Sequence, residues 1–378
     1  MEKCGATRQA GRPKRYSKHL RIPCKPHVFV YIRNRPDCRL RPLYKARVAG
    51  MIISKAAVVG AGLMGAGIAR HMASHGIQVT LVDNSEEQLA RAAKADENLG
   101  LQYASDMTAI SSVDYAIEAV FEDLDVKRQV LGEISSAVTA DCLIASNTSS
   151  LLIGDLEKAV TNPNRFIGVH YNNPADINPI VEIIPGDNTE TRYTDVILKW
   201  MKSAEKLAVK CKDTPCFILN RQSLPYINEA SRCLDIASPG EVDYVVGNRL
   251  GIGLGPFAVM NLVGLPVMAA SSRNLEVLGK GYHAAVQLQE RSRLDSPNWD
   301  IEDVSDVPKD KTSAIVKRLR GAMIFPGKDI LDQGLCDRDD LHLICREALG
   351  YDKSSPELLE LFEPGVTAEL LEIYLSHQ

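Results

Sequence analysis

The sequence of 378 residues lacks the features that mark several classes of protein. No apolar run approaches the ~18 residues of a membrane-spanning helix, so we expect no membrane partner. None of the nine cysteines belongs to a Cys-x-x-Cys motif, and no histidine lies at metal-ligand spacing from a cysteine pair. We therefore expect reduced thiols in a cytoplasmic protein, without a disulfide framework or a bound metal.

Acidic residues are scarce in the first fifty positions, where basic residues and prolines concentrate. Residues 1–50 contain 14 lysines and arginines, two acids (Glu2 and Asp37) and five of the chain's 19 prolines. The other 328 residues contain 30 basic and 46 acidic side chains. Because this larger part is acidic, we do not expect a nucleic-acid partner for it.

The first fifty residues admit three interpretations. We favour a disordered basic extension that ends near Met51, where a segment typical of a first strand begins. An arginine-rich transit peptide, the second interpretation, would direct the protein to the mitochondrial matrix. The third interpretation is a basic arm that binds nucleic acid.

A dinucleotide-binding pattern begins at residue 55. The short apolar segment Lys55–Val59 predicts a buried parallel strand. A helical segment, Ala66–Ser74, and a second apolar strand, Gln78–Val82, follow, and Asp83 ends that strand. Between the first strand and the helix lies the glycine motif Gly60-Ala61-Gly62-Leu63-Met64-Gly65. This arrangement is typical of a dinucleotide site, and a purely structural glycine turn is the alternative.

The residues of this pattern have separate physical roles. Gly60 permits the tight turn, Gly62 lets the backbone approach a pyrophosphate, and Gly65 lets the helix pack close to the strand. Asp83 can accept hydrogen bonds from the adenine ribose and would repel a 2′-phosphate, so we predict NAD rather than NADP as the cofactor. The predicted cofactor-binding residues of this segment are Gly60, Gly62, Leu63, Met64, Gly65 and Asp83.

Further strands and helices alternate along the chain. Four apolar segments predict strands, at Tyr115–Val120, Cys142–Ser146, Phe166–Val169 and Ile180–Ile184. The amphipathic stretch Asp125–Val138 predicts a helix between the first two. Alternation of this kind implies a parallel, doubly wound sheet. Because ligands bind at the carboxyl ends of such strands, Glu122, Ser146–Ser150 and His170 should converge on one crevice.

His170 and Glu182 are the titratable residues of most interest. Taken alone, a histidine before an Asn-Pro turn is typical of a structural role. Glu182 is more unusual, because an acid inside an apolar strand loses its hydration and needs a partner. A carboxylate held against an imidazole would fix its tautomer and would stabilise the imidazolium that forms on proton uptake.

The chain resembles the 3-hydroxyacyl-CoA dehydrogenase family from Lys55 to about Gly264, and more weakly to the C-terminus. Six segments carry the resemblance in the family's order: VVGAGLMGAGIA, IEAVFEDLDVKRQV, ASNTSSL, RFIGVHYNNP…VEIIPG, KDTPCFILNR and GPFAVMNLVGL. The resemblance implies an NAD-dependent oxidation of a 3-hydroxyacyl-CoA, a step of fatty acid beta-oxidation. It also implies an acyl-CoA thioester as the small-molecule partner.

The resemblance implies roles for individual residues. His170 is similar to the base that removes the proton of the 3-hydroxyl, and Glu182 is similar to the carboxylate that orients it. Ser149 is similar to a hydroxyl that contacts both the substrate oxygen and the nicotinamide side, and Asn220 is similar to the asparagine that completes the site. Taken alone, Ser149 also fits a helix N-cap and Asn220 a domain-junction hydrogen bond. Further cofactor contacts are implied at Glu122, Lys127, Ser149 and Asn173.

Three features depart from the family pattern. Cys216 replaces a glycine, and we interpret its thiol as a small packing group rather than a nucleophile. The loop Asn172–Asn178 is more polar than usual and brings Asp176 near the site. The segment between Asp83 and Glu118 is shorter than in acyl-CoA members of the family, so it offers few cations to the phosphates of CoA.

Beyond Phe217 the strand pattern stops and helical patterns follow. Gln222–Ile236 is amphipathic, and Ser238 is the predicted N-cap of the next helix, Glu241–Leu250. Residues 314–350 repeat this pattern at an offset of 99 residues, with Asp337 at the position of Ser238. The repetition predicts a duplicated helical domain.

These observations predict a fold class and four regions. The fold class is an α/β N-terminal doubly wound Rossmann-like domain followed by a duplicated all-α C-terminal domain. The regions are a basic extension (1–50), an NAD-binding domain (51–213), a helical domain (214–300) and a second helical repeat (301–378). Single copies of such helical domains often mediate dimer contacts in the family. A homodimer is therefore one expectation, and internal cover of that surface by the second repeat is the other.

Two alternatives to a 3-hydroxyacyl-CoA dehydrogenase stay open from the sequence. The first is an NAD-dependent dehydrogenase of a free 3-hydroxy acid. The second is a non-catalytic NAD-binding protein that kept the fold and lost the reaction. The joint presence of Ser149, His170, Glu182 and Asn220 argues against the second.

Overall fold

The computed structural model describes residues 53–96 and 98–378, and it arranges their strands in one sheet. The described residues form eight strands, β1–β8, with the bounds Lys55–Val59, Gln78–Val82, Gln102–Ala104, Tyr115–Glu118, Leu143–Ser146, Phe166–Tyr171, Ile180–Pro185 and Leu207–Lys210. Their order in space is β3-β2-β1-β4-β5-β6-β7-β8. The predicted disordered extension, residues 1–50, and the predicted start at Met51 lie outside the described residues.

Five helices accompany the sheet and nine follow it, counted over the same described residues. The first five, α1–α5, are Leu63–Ser74, Glu86–Ala95, Leu124–Ala137, Ile153–Leu156 and Thr191–Ser203. The other nine, α6–α14, are Leu219–Arg232, Pro239–Val245, Pro256–Val263, Leu265–Leu275, Val286–Arg291, Lys309–Asp332, Arg338–Leu343, Ser355–Leu361 and Pro364–Ser376. The α/β domain followed by a helical domain confirms the predicted fold class.

The expectation of an all-parallel sheet is wrong at β7. The neighbouring pairs from β3 to β6 are parallel, but β7 is antiparallel to β6, and β8 is parallel to β7. Only residues 172–179 connect β6 to β7, and a parallel crossover needs about a dozen residues or more. The antiparallel register places His170 directly opposite Glu182.

Two edge strands, β3 and β8, were not predicted. Both lack the continuous apolar run of the central strands, because part of each strand is exposed at an edge of the sheet. The predicted ends of the central strands are close to the observed ones, and β6 extends two residues further, to Tyr171.

Two apolar clusters cover the two faces of the sheet. Ile68 and Met72 of α1 pack with Trp200 of α5 on one face. On the other face Leu131 of α3 belongs to one continuous cluster with residues of the helical domain, among them Leu319 of α11. The helical domain therefore shares a core with the sheet domain.

The helices after β8 follow one another in the same order twice. Helices α7, α8 and α9 correspond to α12, α13 and α14, each at an offset of about 99 residues. A π-helical turn follows α7 at Val246–Leu250 and α12 at Ile344–Ala348. Ser238 caps α7 through a capping box, as predicted, whereas Asp337 occupies the N-cap of α12 without a side-chain cap bond.

The second repeat packs on the first through an ion-pair network that is partly buried. Arg318 of α11 donates to Glu229 of α6 at 2.6 Å and to Asp235 at 2.8 Å, and the Glu229 side chain is fully buried. Within residues 53–96 and 98–378, no helix is both long and apolar enough to cross a membrane. The same residues contain no cluster of three or more histidine, cysteine or acidic side chains suited to a metal ion.

Candidate active site

The predicted site residues meet at the carboxyl edge of the parallel strands. The strand order reverses between β1 and β4, which is where ligands of doubly wound sheets bind. The glycine motif follows β1, Glu122 follows β4, and Ser149 follows β5. His170 lies near the end of β6, on the same side of the sheet as these loops.

The glycine motif leaves room for a bound pyrophosphate. Gly60 has φ +106°, and a Cβ there would lie 2.7 Å from the carbonyl oxygen of Ala119. A Cβ at Gly65 would lie 1.8 Å from the Gly60 oxygen, so both positions require glycine. A Cβ at Gly62 would meet nothing within 4 Å, because this residue borders open space. Helix α1 begins beside it without a side-chain cap, which leaves its first N–H groups for an anion.

Asp83 is fixed at the end of β2. Its Oδ2 accepts from the backbone N–H of Ala61 at 2.6 Å, and its Oδ1 accepts from that of Ser85 at 2.8 Å. Each oxygen keeps a second lone pair, so the carboxylate can still accept from two ribose hydroxyls. The cradle and this carboxylate together fit NAD.

Glu122 accepts several hydrogen bonds from the loop that carries Ser149. Its Oε1 accepts from the Thr148 hydroxyl at 2.7 Å and from the backbone N–H groups of Ser149 and Ser150 at 2.8 and 2.9 Å. The Ser150 and Ser149 hydroxyls approach the same oxygen at 3.0 and 3.1 Å. Burial raises the pKa of Glu122, but the Lys127 ammonium and these donors outweigh it, so the net pKa is lowered. Ser149 has the longest of these contacts and is the easiest to redirect.

Lys127 lies beneath the loop rather than at its surface. Its side chain is 1% exposed, and Nζ lies 3.0 Å from Glu118 Oε2, 3.3 Å from Glu122 Oε2 and 3.2 Å from the Val120 oxygen. This ammonium therefore acts on the site through Glu122. A direct contact between Lys127 and the cofactor stays a prediction.

His170 and Glu182 form a buried pair across β6 and β7. Nδ1 of His170 donates to Oε2 of Glu182 at 2.7 Å, and both side chains are buried. The other oxygen, Oε1, accepts from the backbone N–H groups of Ile218 and Leu219 at 2.8 and 2.9 Å. These amides form the N-terminus of α6, whose dipole stabilises the negative charge. The pairing leaves Nε2 of His170 as the nitrogen available to a substrate.

The turn before α6 completes the site. Cys216 and Phe217 both have positive φ, at 60° and 51°, a conformation in which glycine is relaxed and other residues are strained. The Phe217 ring lies 5.8 Å from that of His170, measured between centroids. Burial raises the pKa of the Cys216 thiol to about 12, in keeping with a packing group rather than a nucleophile. Asn220 Nδ2 donates to the backbone carbonyl oxygen of Ser149 at 3.2 Å.

The loop 172–178 turns toward α1. Asp176 pairs with Arg70 of that helix, with Nε and Oδ2 3.1 Å apart. The carboxylate is therefore partly neutralised by Arg70 of α1, the helix that follows the glycine motif. Asn173 is exposed at the start of this loop.

Two sequence models of one family match the chain. The model described as the 3-hydroxyacyl-CoA dehydrogenase NAD binding domain matches residues 55–100 and 97–214, and the C-terminal domain model matches residues 217–296. The human mitochondrial hydroxyacyl-coenzyme A dehydrogenase is 33% identical over 243 residues, which are 57% of this chain and 77% of the human protein. The chain belongs to the 3-hydroxyacyl-CoA dehydrogenase family. This enzyme is accordingly an NAD-dependent oxidoreductase that acts on a secondary alcohol.

Two solved structures resemble this dehydrogenase. The 3-hydroxybutyryl-CoA dehydrogenase of Escherichia coli K12 has a TM-score of 0.75 at 23% identity, covering 86% of this chain and 95% of that one, which shows the shared fold. The (S)-3-hydroxybutyryl-CoA dehydrogenase of Ralstonia eutropha is 30% identical with a TM-score of 0.60, covering 63% of this chain and 93% of that one. The family models end at residue 296, so the second repeat lies beyond them.

Sequence reasoning missed two residues that shape the dehydrogenase site, Glu118 and Asn274. Glu118 is fully buried beneath Lys127 and also accepts from the Ser146 hydroxyl. It gave the same signal as Glu182, an acid inside an apolar strand. Asn274 of α9 donates to the Ser150 hydroxyl at 3.0 Å, and no local pattern could have predicted a contact between residues 124 positions apart.

Proposed function

We propose that this enzyme oxidises an (S)-3-hydroxyacyl-CoA to the 3-oxoacyl-CoA with NAD, or runs the reverse reduction, with His170 as the general base. The buried 2.7 Å contact between His170 Nδ1 and Glu182 Oε2 carries this proposal. It holds one imidazole nitrogen and leaves the other for proton transfer with the substrate.

Proton transfer is assigned to His170. The neutral ring, protonated at Nδ1, accepts the hydroxyl proton at Nε2 during oxidation. Glu182 then stabilises the imidazolium, and the two α6 amides keep this carboxylate in place. In the reverse direction the imidazolium returns the proton to the oxygen.

Ser149 and Asn220 are assigned to the substrate oxygen. Both side chains are half-buried at the crevice and can donate to an oxygen that gains alkoxide character. The Ser149 hydroxyl leaves Glu122 to do so, and Glu122 keeps its shorter donors from Thr148 and the backbone.

Cofactor binding is assigned to the cradle after β1 and to Asp83. When bound, NAD supplies the acceptor for the hydride that leaves the substrate carbon. The N-terminus of α1 would hold the diphosphate, and Asp83 the adenine ribose. Glu122 and Asn173 are proposed to lie nearer the nicotinamide half.

The CoA moiety is proposed to be bound mainly through its pantetheine arm and acyl group. Between β2 and β4 the exposed cations include Arg91 and Lys94 of α2, and exposed ion pairs contribute only ~0.2–1 kcal/mol each. This scarcity also favours a second candidate function, the oxidation of a free 3-hydroxy acid.

A substrate panel tests the proposal. NADH formation is measured with NAD and matched pairs of 3-hydroxyacyl-CoA thioesters and free 3-hydroxy acids. We expect turnover of the thioesters. Turnover of free acids with no thioester activity would support the second candidate, and no turnover of either would support a non-catalytic NAD-binding protein. The cytoplasmic location, the matrix alternative and the homodimer stay predictions.

A further inference from the structure

The segment between β8 and α6, together with the first residues of α6, binds two parts of the active site. The backbone N–H groups of Ile218 and Leu219 bind Glu182, and Asn220 binds the Ser149 backbone. Phe217, which precedes Ile218, is strained at positive φ, so contacts with the surrounding residues must stabilise this turn.

The buried side chain of Arg221 stabilises the turn through hydrogen bonds. Its side chain is 1% exposed, and Nη1 donates to the Thr214 hydroxyl at 2.9 Å. Thr214 precedes the strained residues and Arg221 follows them, so this bond ties the two ends of the turn together. The Nε group donates to the Tyr282 hydroxyl at 3.1 Å.

Asp329 of the second repeat fixes this arginine. Its Oδ2 accepts from Arg221 Nη2 and from the Tyr282 hydroxyl, both at 2.6 Å. Burial raises the pKa of Asp329, but the hydrogen bonds from Tyr282 and Arg221 outweigh it and lower the net pKa. The carboxylate is therefore held in its charged form against the guanidinium.

The second repeat binds the same segment at further points. The Leu335 oxygen accepts from the Lys212 N–H at 2.9 Å, and the Met323 oxygen accepts from Gln222 Nε2 at 2.9 Å. These contacts lie on both sides of the turn. The second repeat is thus hydrogen-bonded to the chain before and after the turn.

We propose that Asp329 is a positioning residue of the active site, which acts through Arg221 to hold the turn 214–221 and so keeps Glu182 against His170. This inference rests on the proposed function. It gives the second helical repeat a part in the reaction, although the repeat contributes no residue to the proposed site. A role limited to packing the two repeats together is the competing account.

The test compares Asp329→Asn with a matched control, Asp332→Asn. Asp332 lies on the same helix in an exposed pair with Lys328, whose Nζ is 2.5 Å away. For Asp329→Asn we expect kcat to fall about tenfold and the KM for NAD to stay within about twofold, since the dinucleotide cradle is elsewhere. We expect the control to keep both values.

The pH profile of kcat separates positioning from packing. A looser Glu182 stabilises the imidazolium less, so the pKa of the base in the enzyme–substrate complex falls. The acidic limb of the Asp329→Asn profile should therefore move to lower pH by about half a unit or more. A variant that is only less stable loses active molecules but keeps the limb where it is.

Each outcome decides the inference. Asp329→Asn with the kinetics of Asp332→Asn would overturn it, and so would a lower kcat with an unmoved acidic limb. If Asp329→Asn does not fold, Thr214→Val removes the acceptor that Arg221 has within the turn itself, and a kcat and acidic limb like those of the wild type would overturn the inference. The proposed function fails separately, if His170→Gln keeps its turnover.

Discussion

Replacing Glu182 by glutamine tests how the buried carboxylate acts on His170. In the structure Glu182 serves two sides, with Oε2 at 2.7 Å from His170 Nδ1 and Oε1 bound by the N–H groups of Ile218 and Leu219. A glutamine side chain has one acceptor oxygen and one donor NH₂. It cannot accept on both sides at once.

The expected loss of kcat in Glu182→Gln follows from the two orientations that the amide can take. If the oxygen keeps the two backbone donors, the NH₂ faces Nδ1, which is then unprotonated, and the proton on Nε2 prevents His170 from acting as a base. If the amide flips, two buried N–H groups lose their acceptor at about 1–3 kcal/mol each. The inactive tautomer is therefore favoured by about 2–6 kcal/mol, a factor of about 30 to 10⁴ in population. We expect kcat to fall by about 10²-fold or more, yet less than in His170→Gln.

The assay follows NADH absorbance across the pH range, with NAD affinity measured by fluorescence. NAD affinity should stay within a few-fold, and the loss of kcat should persist at high pH because a tautomer does not titrate away. Glu133→Gln is the control, since Glu133 is exposed and bonds only Gln129 among the contacts seen for its side chain in the described residues. A kcat within threefold of wild type, or full recovery at high pH, would refute the reasoning.

Four further predictions follow from named contacts. Asp83→Ala should weaken NAD binding and lower the ratio of kcat/KM with NAD to kcat/KM with NADP; a wild-type enzyme that prefers NADP would contradict this prediction. Lys127→Met should lower the free energy of unfolding by about 3–5 kcal/mol in denaturant melts, because Glu118 is left buried without its partner; an unchanged melt would contradict it. Cys216 should resist alkylation in the native enzyme, because it is buried with a pKa raised to about 12; labelling without unfolding, read by mass spectrometry, would contradict it. A pantetheine thioester should come within about tenfold of the CoA ester in kcat/KM; a drop of a hundredfold would reveal a strong nucleotide site.

The dinucleotide half of the site was predictable because its signal is local. The strand Lys55–Val59, the glycine motif and Gln78–Val82 are consecutive, and the observed strands have the predicted bounds. Gly60 and Gly65 are required by short-range steric limits, such as the 1.8 Å approach of a Gly65 Cβ to the Gly60 oxygen. Steric limits of this kind depend on a few residues that are close together in the sequence.

The rest of the site depends on contacts that adjacent residues do not encode. The direction of β7 is set by a connection too short for a crossover, and this direction is what brings Glu182 opposite His170. The burial of Lys127 and the bond between Arg221 and Asp329, 108 positions apart, arise only when helices pack. Resemblance suggested the residues of the pair, but the geometry that joins them is tertiary.

The most direct test of the account is the turnover of His170→Gln on a 3-hydroxyacyl-CoA with NAD. The histidine lies at the end of β6, away from the glycine cradle, so the variant should still bind NAD within a few-fold of wild type. We predict that NADH formation falls to nearly zero, because the glutamine amide cannot accept the proton that Nε2 of His170 takes. Undiminished turnover at unchanged NAD affinity would contradict the assignment of His170 and Glu182.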